Sequence, residues 1–187
     1  VKILSIAKLV FFGMLLGVGL GSARADEEIR ANYVVTVADD FVVDVYLNGR
    51  LVPESRRHLT EEVFGATREK IDIKVTRGDW IVFHVVNDRM RWGGAYYFAA
   101  AGMINDHEAG FVSSLSSGDW SACGDPSDTN RFIEDEGFTN GQPVEKISRL
   151  WTGGVSLMKK TIGESWNGDP IWGRTQDRDV WLKMIAN

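Results

Sequence analysis

Tryptophans set among polar residues outside the strand-like runs are the first feature of this sequence that could do chemistry. Trp92 follows Arg89 and Arg91 and precedes Gly93-Gly94, and Trp120 closes Ser116-Ser117-Gly118-Asp119-Trp120. A sugar offers flat C–H faces to such rings while its hydroxyls take hydrogen bonds from Asn, Asp and Arg. Trp92, Arg91, Asn87, Trp120 and Asp119 therefore form a candidate carbohydrate site. Trp80, Trp151 and Trp181 lie within strand-like apolar runs and read as core. The alternative for Trp92 and Trp120 is that each ring caps the edge of a core and binds nothing.

A second chemistry is cation binding. Asp125, Asp128 and Asn130, in Gly124-Asp125-Pro126-Ser127-Asp128-Thr129-Asn130, offer oxygen ligands of the kind calcium takes, but their spacing is not that of an EF-hand loop. A turn rich in Asp, Ser and Asn also forms without a metal. Asn105-Asp106-His107-Glu108 joins a histidine to two carboxylates, yet neighbours on an extended chain point to opposite faces. Catalysis has weaker support. His58, His84 and His107 are far apart, and neither a Gly-x-Ser-x-Gly nor a His-Glu-x-x-His pattern accompanies them. His84 sits in a strand-like run and reads as a satisfied core residue. Glu134 and Glu136, two apart and so on one face of any strand there, are the pair that could act as acid and base on a glycosidic bond. Cys123 is the lone cysteine, so no disulfide forms within the chain, and it reads as a small buried residue.

The elements that must position these side chains have period two. Tyr33 to Val37 and Phe41 to Leu47 read as strands with Asp39-Asp40 turning between them, and Asn48-Gly49 makes a tight turn after the second. Ile71, Ile73 and Val75 alternate with polar residues, Arg77-Gly78-Asp79 turns the chain, and Trp80 to Val86 is apolar on both faces as a central strand should be. Ala95 to Ala101, Phe111 to Leu115 and Val180 to Ile185 are further strand candidates, while Val144 to Trp151 and Val155 to Ile162 could be strand or helix. Residues 53–70 read as a long polar connection with one helical turn begun by Thr60, and 119–141 as a loop-rich segment. The fold class expected is all-β.

Residues 1–25 carry Lys2 and Lys8, an apolar run from Leu9 to Leu20 and the small-residue ending Ala23-Arg24-Ala25, the pattern of a cleaved export signal. The run is too short and glycine-rich to act as a stable membrane anchor. Cleavage would remove three of the 21 basic side chains, Lys2, Lys8 and Arg24, and leave 18 against 26 acidic ones, a formal charge of −8. Such a balance disfavours nucleic acid, whose phosphates need a basic stripe. The expectation is a secreted or periplasmic protein with one domain over 26–187, large enough to bury its own core.

Four pieces in order carry a resemblance: Ala38 to Val52 with its Asn48-Gly49 turn; Ile71 to Val75 followed by Arg77-Gly78-Asp79 and Trp80 to Asn87; Gly93-Gly94-Ala95-Tyr96-Tyr97-Phe98-Ala99-Ala100; and Val180-Trp181-Leu182-Lys183-Met184. Together they resemble the galactose-binding-domain-like jelly roll, an accessory module of secreted carbohydrate-active proteins. The resemblance is closest over residues 33–103, is weak at the C-terminal strand, and does not extend over Asp106 to Asp179. It implies a β-sandwich that binds carbohydrate or a glycoconjugate, without catalysis, through loops at one end, and no cofactor beyond the calcium already considered. A subunit that self-associates in an extracellular or envelope complex and a glycoside hydrolase are the two rival expectations.

Overall fold

A computed structural model describes residues 28–61, 66–87, 96–139, 142–146, 152–164, 166–174 and 178–187. The expected export signal lies outside them. Two five-stranded antiparallel sheets face each other. In the first, β10 (Glu108–Val112), β9 (Phe98–Asn105), β2 (Tyr33–Ala38), β6 (Thr67–Ile71) and β5 (Arg57–Glu61) lie side by side in that order. In the second the order is β11 (Trp120–Cys123), β12 (Asp179–Ile185), β8 (Trp80–Val86), β3 (Phe41–Leu47) and β4 (Arg50–Leu51). A short ribbon pairs β1 (Ile29–Ala31) with β7 (Val75–Thr76). The expected all-β sandwich is what the chain forms, and its antiparallel layers are compatible with a jelly roll.

Alternation decides which side chains enter the space between the layers. Val34 and Ala38 of β2, Ile81, Phe83 and Val85 of β8, Phe98 and Ala100 of β9, and Leu182 and Met184 of β12 fill it, joined by Trp172 and Ile171 from a late irregular segment. At about 25 cal/mol per Å² of apolar surface removed from water, such residues supply the main drive to fold.

Each outer face is partly covered by a helix. Helix α1 (Thr129–Glu134) sets Phe132 and Ile133 against Val82 and Cys123 of the second sheet. Helix α2 (Thr152–Ile162) sets Leu157 and Met158 against Val35, Val37 and Met103 of the first. Lys183, wholly buried in β12, donates from Nζ to the carbonyls of Asp135 and Phe138, 2.7 Å each, and so ties the end of α1 to the sheet. Burial pushes this ammonium down to about 8.

Two expected segments differ. The stretch 53–70 is no bare connection: after a 3₁₀ turn at Glu54–Arg56 it holds all of β5 and most of β6. Its polarity hid the strands because Arg57 and Glu69, which would break an apolar face, neutralise each other. The helical turn expected at Thr60 is strand at Thr60 and Glu61, and residues 62–65 lie outside the described residues. Within 119–141, β11 and α1 interrupt the loop. Of the ambiguous runs, 152–162 is helix, and Glu145 makes an isolated bridge to Trp172.

Candidate functional site

The described residues among those proposed from sequence do not assemble. Arg91 and Trp92 lie outside the described residues. Asn87 is buried just past β8, its amide donating to the Arg178 carbonyl at 2.9 Å. Trp120 is only 4% exposed and belongs to β11, where its ring packs on Phe83 and Phe98 and its Nε1 donates to the Val112 carbonyl at 3.1 Å. It is a core residue, not a loop ring. The Ser-Gly-Asp run that suggested a loop ends one residue before the strand begins. Half-buried Asp119 accepts from the Asn187 side chain at 2.7 Å and through its carbonyl from the Ile185 amide at 3.0 Å. Along β12, Val86 pairs with Asp179 and Trp120 with Met184. Asn87, which bonds to Arg178, and Trp120 therefore stand near opposite ends of that strand, roughly 20 Å apart along it at about 3.4 Å per residue.

The acidic turn is accounted for locally. Asp125 Oδ1 accepts from the Ser127 amide at 2.9 Å and hydroxyl at 2.8 Å, which holds its carboxyl below the usual range. Asp128 precedes α1 and Asn130 lies within it. Among the described residues no three His, Cys, Asp or Glu side chains converge as a metal site. Glu134 ends α1 and Glu136 follows in a turn, both exposed, so the strand that would align them on one face is not there. Asn105, His107 and Glu108 close the β9–β10 turn, with Asn105 Nδ2 donating to Glu108 Oε2 at 3.1 Å. Cys123 is buried, its Sγ 3.5 Å from the Asp125 carbonyl.

A different constellation forms on the outer face of the first sheet. Register places Val35 beside Lys70, and Lys70 beside His58; the next row sets Arg68 beside Thr60. With Tyr33 at the start of β2, Asp106 from the β9–β10 turn and Thr161 from α2, these residues line an open groove of about 340 Å³. That is at the lower end of the range for small-molecule sites. The Tyr33 hydroxyl donates to Asp106 Oδ1 at 2.8 Å, and partial burial together with that carboxylate pushes the phenol up to about 12. The phenol is thus a fixed donor at neutral pH. Lys70 Nζ lies 4.5 Å from the Tyr33 ring centroid and 3.6 Å from Asp72, which also meets His58 Nε2 at 2.8 Å. Arg68 Nη1 donates to Thr161 Oγ1 at 3.4 Å. One ring, several donors and a carboxylate thus share one groove.

On the other sheet, His84 is not a core residue. Its ring lies on the outer face, flat against Trp181, with Asp44 Oδ2 3.7 Å from Nδ1 and Asp179 Oδ1 3.4 Å from Nε2. The two carboxylates stand at opposite nitrogens, so they do not converge on one ion.

Sequence reasoning missed the groove because its residues span Tyr33 to Thr161 and no local motif joins them. The one available signal was the alternation of basic residues in Arg68-Glu69-Lys70. No family model matches the chain, and neither a curated protein nor a solved structure matches it at a significant level. No helix among the described residues is long and apolar enough to cross a membrane.

Proposed function

We propose that this chain is an exported, non-catalytic carbohydrate-binding protein of the galactose-binding-like type, and that its ligand lies in the groove on the outer face of the first sheet. The observation that supports this reading is the juxtaposition of the Tyr33 ring with Asp106, Arg68, Lys70 and two threonines in one open cavity. Such a set matches a molecule with an apolar face and many hydroxyls. Asp106 is the one carboxylate among the described lining residues, whereas glycosidic cleavage by the usual route needs a pair, so binding is favoured over hydrolysis. A glycan array probed with the protein, with and without calcium, is the direct test. Retention lost in Tyr33→Ala and Asp106→Asn supports the reading, and the absence of any retained glycan overturns it.

A second reading, self-association, has its own observation. Exposed Phe41, Val43 and Leu51 lie on the edge of the second sheet and exposed Leu59 on the edge of the first, and Arg57 joins those two edges. Unpaired apolar edges are where copies of a chain pair. Gel filtration separates the readings: a discrete oligomer that dissociates in Leu59→Lys favours assembly, and a monomer at all concentrations excludes it.

A further inference from the structure

A second cavity, of about 250 Å³, opens on the same outer face of the first sheet and adjoins the groove. Met103, Val112, Ile162 and Trp166 pack together to form its apolar side, and exposed His107 and Asn167 stand at its rim. Three pairs of neighbours mark where the two hollows meet, one residue of each pair lining each hollow. Tyr33 and Met103 are partners directly across the β2–β9 ladder. Asp106 and His107 are successive residues of the β9–β10 turn, and Thr161 and Ile162 are the last two residues of α2. One cross-strand row, Lys70, Val35, Ala101 and Val112, runs from the groove into the cavity, roughly 14 Å at about 4.8 Å per strand. The Trp166 indole N–H is buried in the cavity wall and has no acceptor among the described residues, a cost that a ligand oxygen would relieve.

From this continuity we infer that the ligand is an oligosaccharide whose linked units occupy the groove and the cavity together, crossing the end of α2. The inference rests on the carbohydrate reading above and specifies the class of sugar. A chain of pyranose units repeats one apolar C–H face and one set of hydroxyls, and the two hollows repeat an apolar side beside polar groups. The row that joins them is longer than a single ring. In the cavity, Met103, Val112 and Ile162 would take the C–H face, and His107, Asn167 and the Trp166 N–H the hydroxyls. Glu108 adds a second carboxylate, held by Asn105 Nδ2 at 3.1 Å as Asp106 is held by the Tyr33 hydroxyl at 2.8 Å. Each can also accept from a sugar hydroxyl. Once one unit is seated, its linked neighbour binds at a high effective concentration, so affinity climbs with chain length until both hollows are filled.

The test is isothermal titration of the protein with β-linked oligosaccharides of glucose, mannose, galactose and N-acetylglucosamine, each as a series of increasing length from the monosaccharide to the hexamer. The expected result is a series in which affinity rises at least about 10-fold between monosaccharide and tetramer and then levels off. That gain should vanish in Ala109→Trp, which fills the cavity from an exposed strand position, and in His107→Ala combined with Asn167→Ala, at the exposed rim. Thermal unfolding of both variants should match that of the parent, and either one that does so suffices for the test. Equal affinity for monosaccharide and hexamer in every bound series overturns the inference and leaves carbohydrate binding standing. A gain with length that persists in both variants places the added units elsewhere and overturns it as well. No binding in any series, together with an empty glycan array, overturns the carbohydrate reading itself. The bound hexamer should be recovered whole after incubation, and shortened products would overturn binding without catalysis.

Discussion

Arg57 and Glu69 form a two-point ion pair within the sandwich, Nη2 to Oε2 at 2.9 Å and Nε to Oε1, with Glu69 1% exposed. The same guanidinium donates to the carbonyls of Val43 at 2.7 Å and Val42 at 2.8 Å, where β3 bulges and its ladder to β8 skips a residue. One side chain thus satisfies a buried carboxylate and the carbonyls of the bulge. Arg57→Ala should lower stability by about 3–5 kcal/mol, because it leaves that carboxylate buried without its partner. Urea titration checks this. Arg57→Met combined with Glu69→Met should recover most of the loss, and a double variant as unstable as the single one would locate the cost in the bulge.

Asp39 and Asp40 adjoin in the turn after β2, and both are buried. Burial first, and then the Asp40 charge, push Asp39 up to about 6. An acid raised on folding binds its proton more tightly in the native state. Its contribution is therefore fully present below about pH 4 and is lost as pH rises through about 6. Asp39→Asn should stabilise the protein above pH 7 by about 2–3 kcal/mol relative to the parent, with the difference shrinking toward pH 4. Denaturation midpoints of both proteins at pH 4.5 and 7.5 test the sign.

The parallel stack of His84 on Trp181, with centroids 4.3 Å apart and planes 7° apart, is an aromatic contact between neighbouring strands. His84→Ala should cost about 0.5–1.5 kcal/mol beyond the loss of buried area. His84→Phe should restore most of it. Sugar affinity should not change in either variant, since the groove lies on the other sheet; a change would place the ligand on this face instead.

Trp120 and Tyr33 should behave oppositely. Trp120→Ala empties a core position and is expected to cost about 3–5 kcal/mol. Tyr33→Ala, at the partly exposed start of β2, should remove ligand retention while thermal unfolding changes by only a few degrees. Parallel losses of stability and binding in both variants would show that neither ring meets ligand.

Much of the second sheet was legible in the sequence because its signals are local. Asn48 and Gly49 take the positive φ values, 51° and 75°, that a tight turn demands of both residues. Gly78 adopts φ 86° in the Arg77-Gly78-Asp79 turn, closed by Asp79 Oδ2 accepting from the Thr76 amide and hydroxyl. The first sheet was half hidden. β5 and β6 carry Arg57 and Glu69 on their inward face, and only the tertiary pairing of those charges makes that face compatible with a strand. Trp120 was misread for a related reason, since Ser117, Gly118 and Asp119 mark the turn before the strand and say nothing of the ring. The groove was least legible. It exists only once register brings Tyr33, Lys70 and His58 side by side and a distant helix adds Thr161.

The strand order has a consequence for how the chain is made. Every strand of the first sheet comes from residues 33–112, so that layer can close while later residues are still emerging. The second cannot: β8 waits for β12, which lies some ninety residues downstream of it and also carries the lysine that fixes α1. Until residues 179–185 arrive, the flank of β8 opposite β3 is an open template. Contacts this distant in sequence close slowly. Nascent chains are accordingly most vulnerable to aggregation in the interval between synthesis of β8 and β12, and a chaperone that recognises extended apolar segments would find its target there.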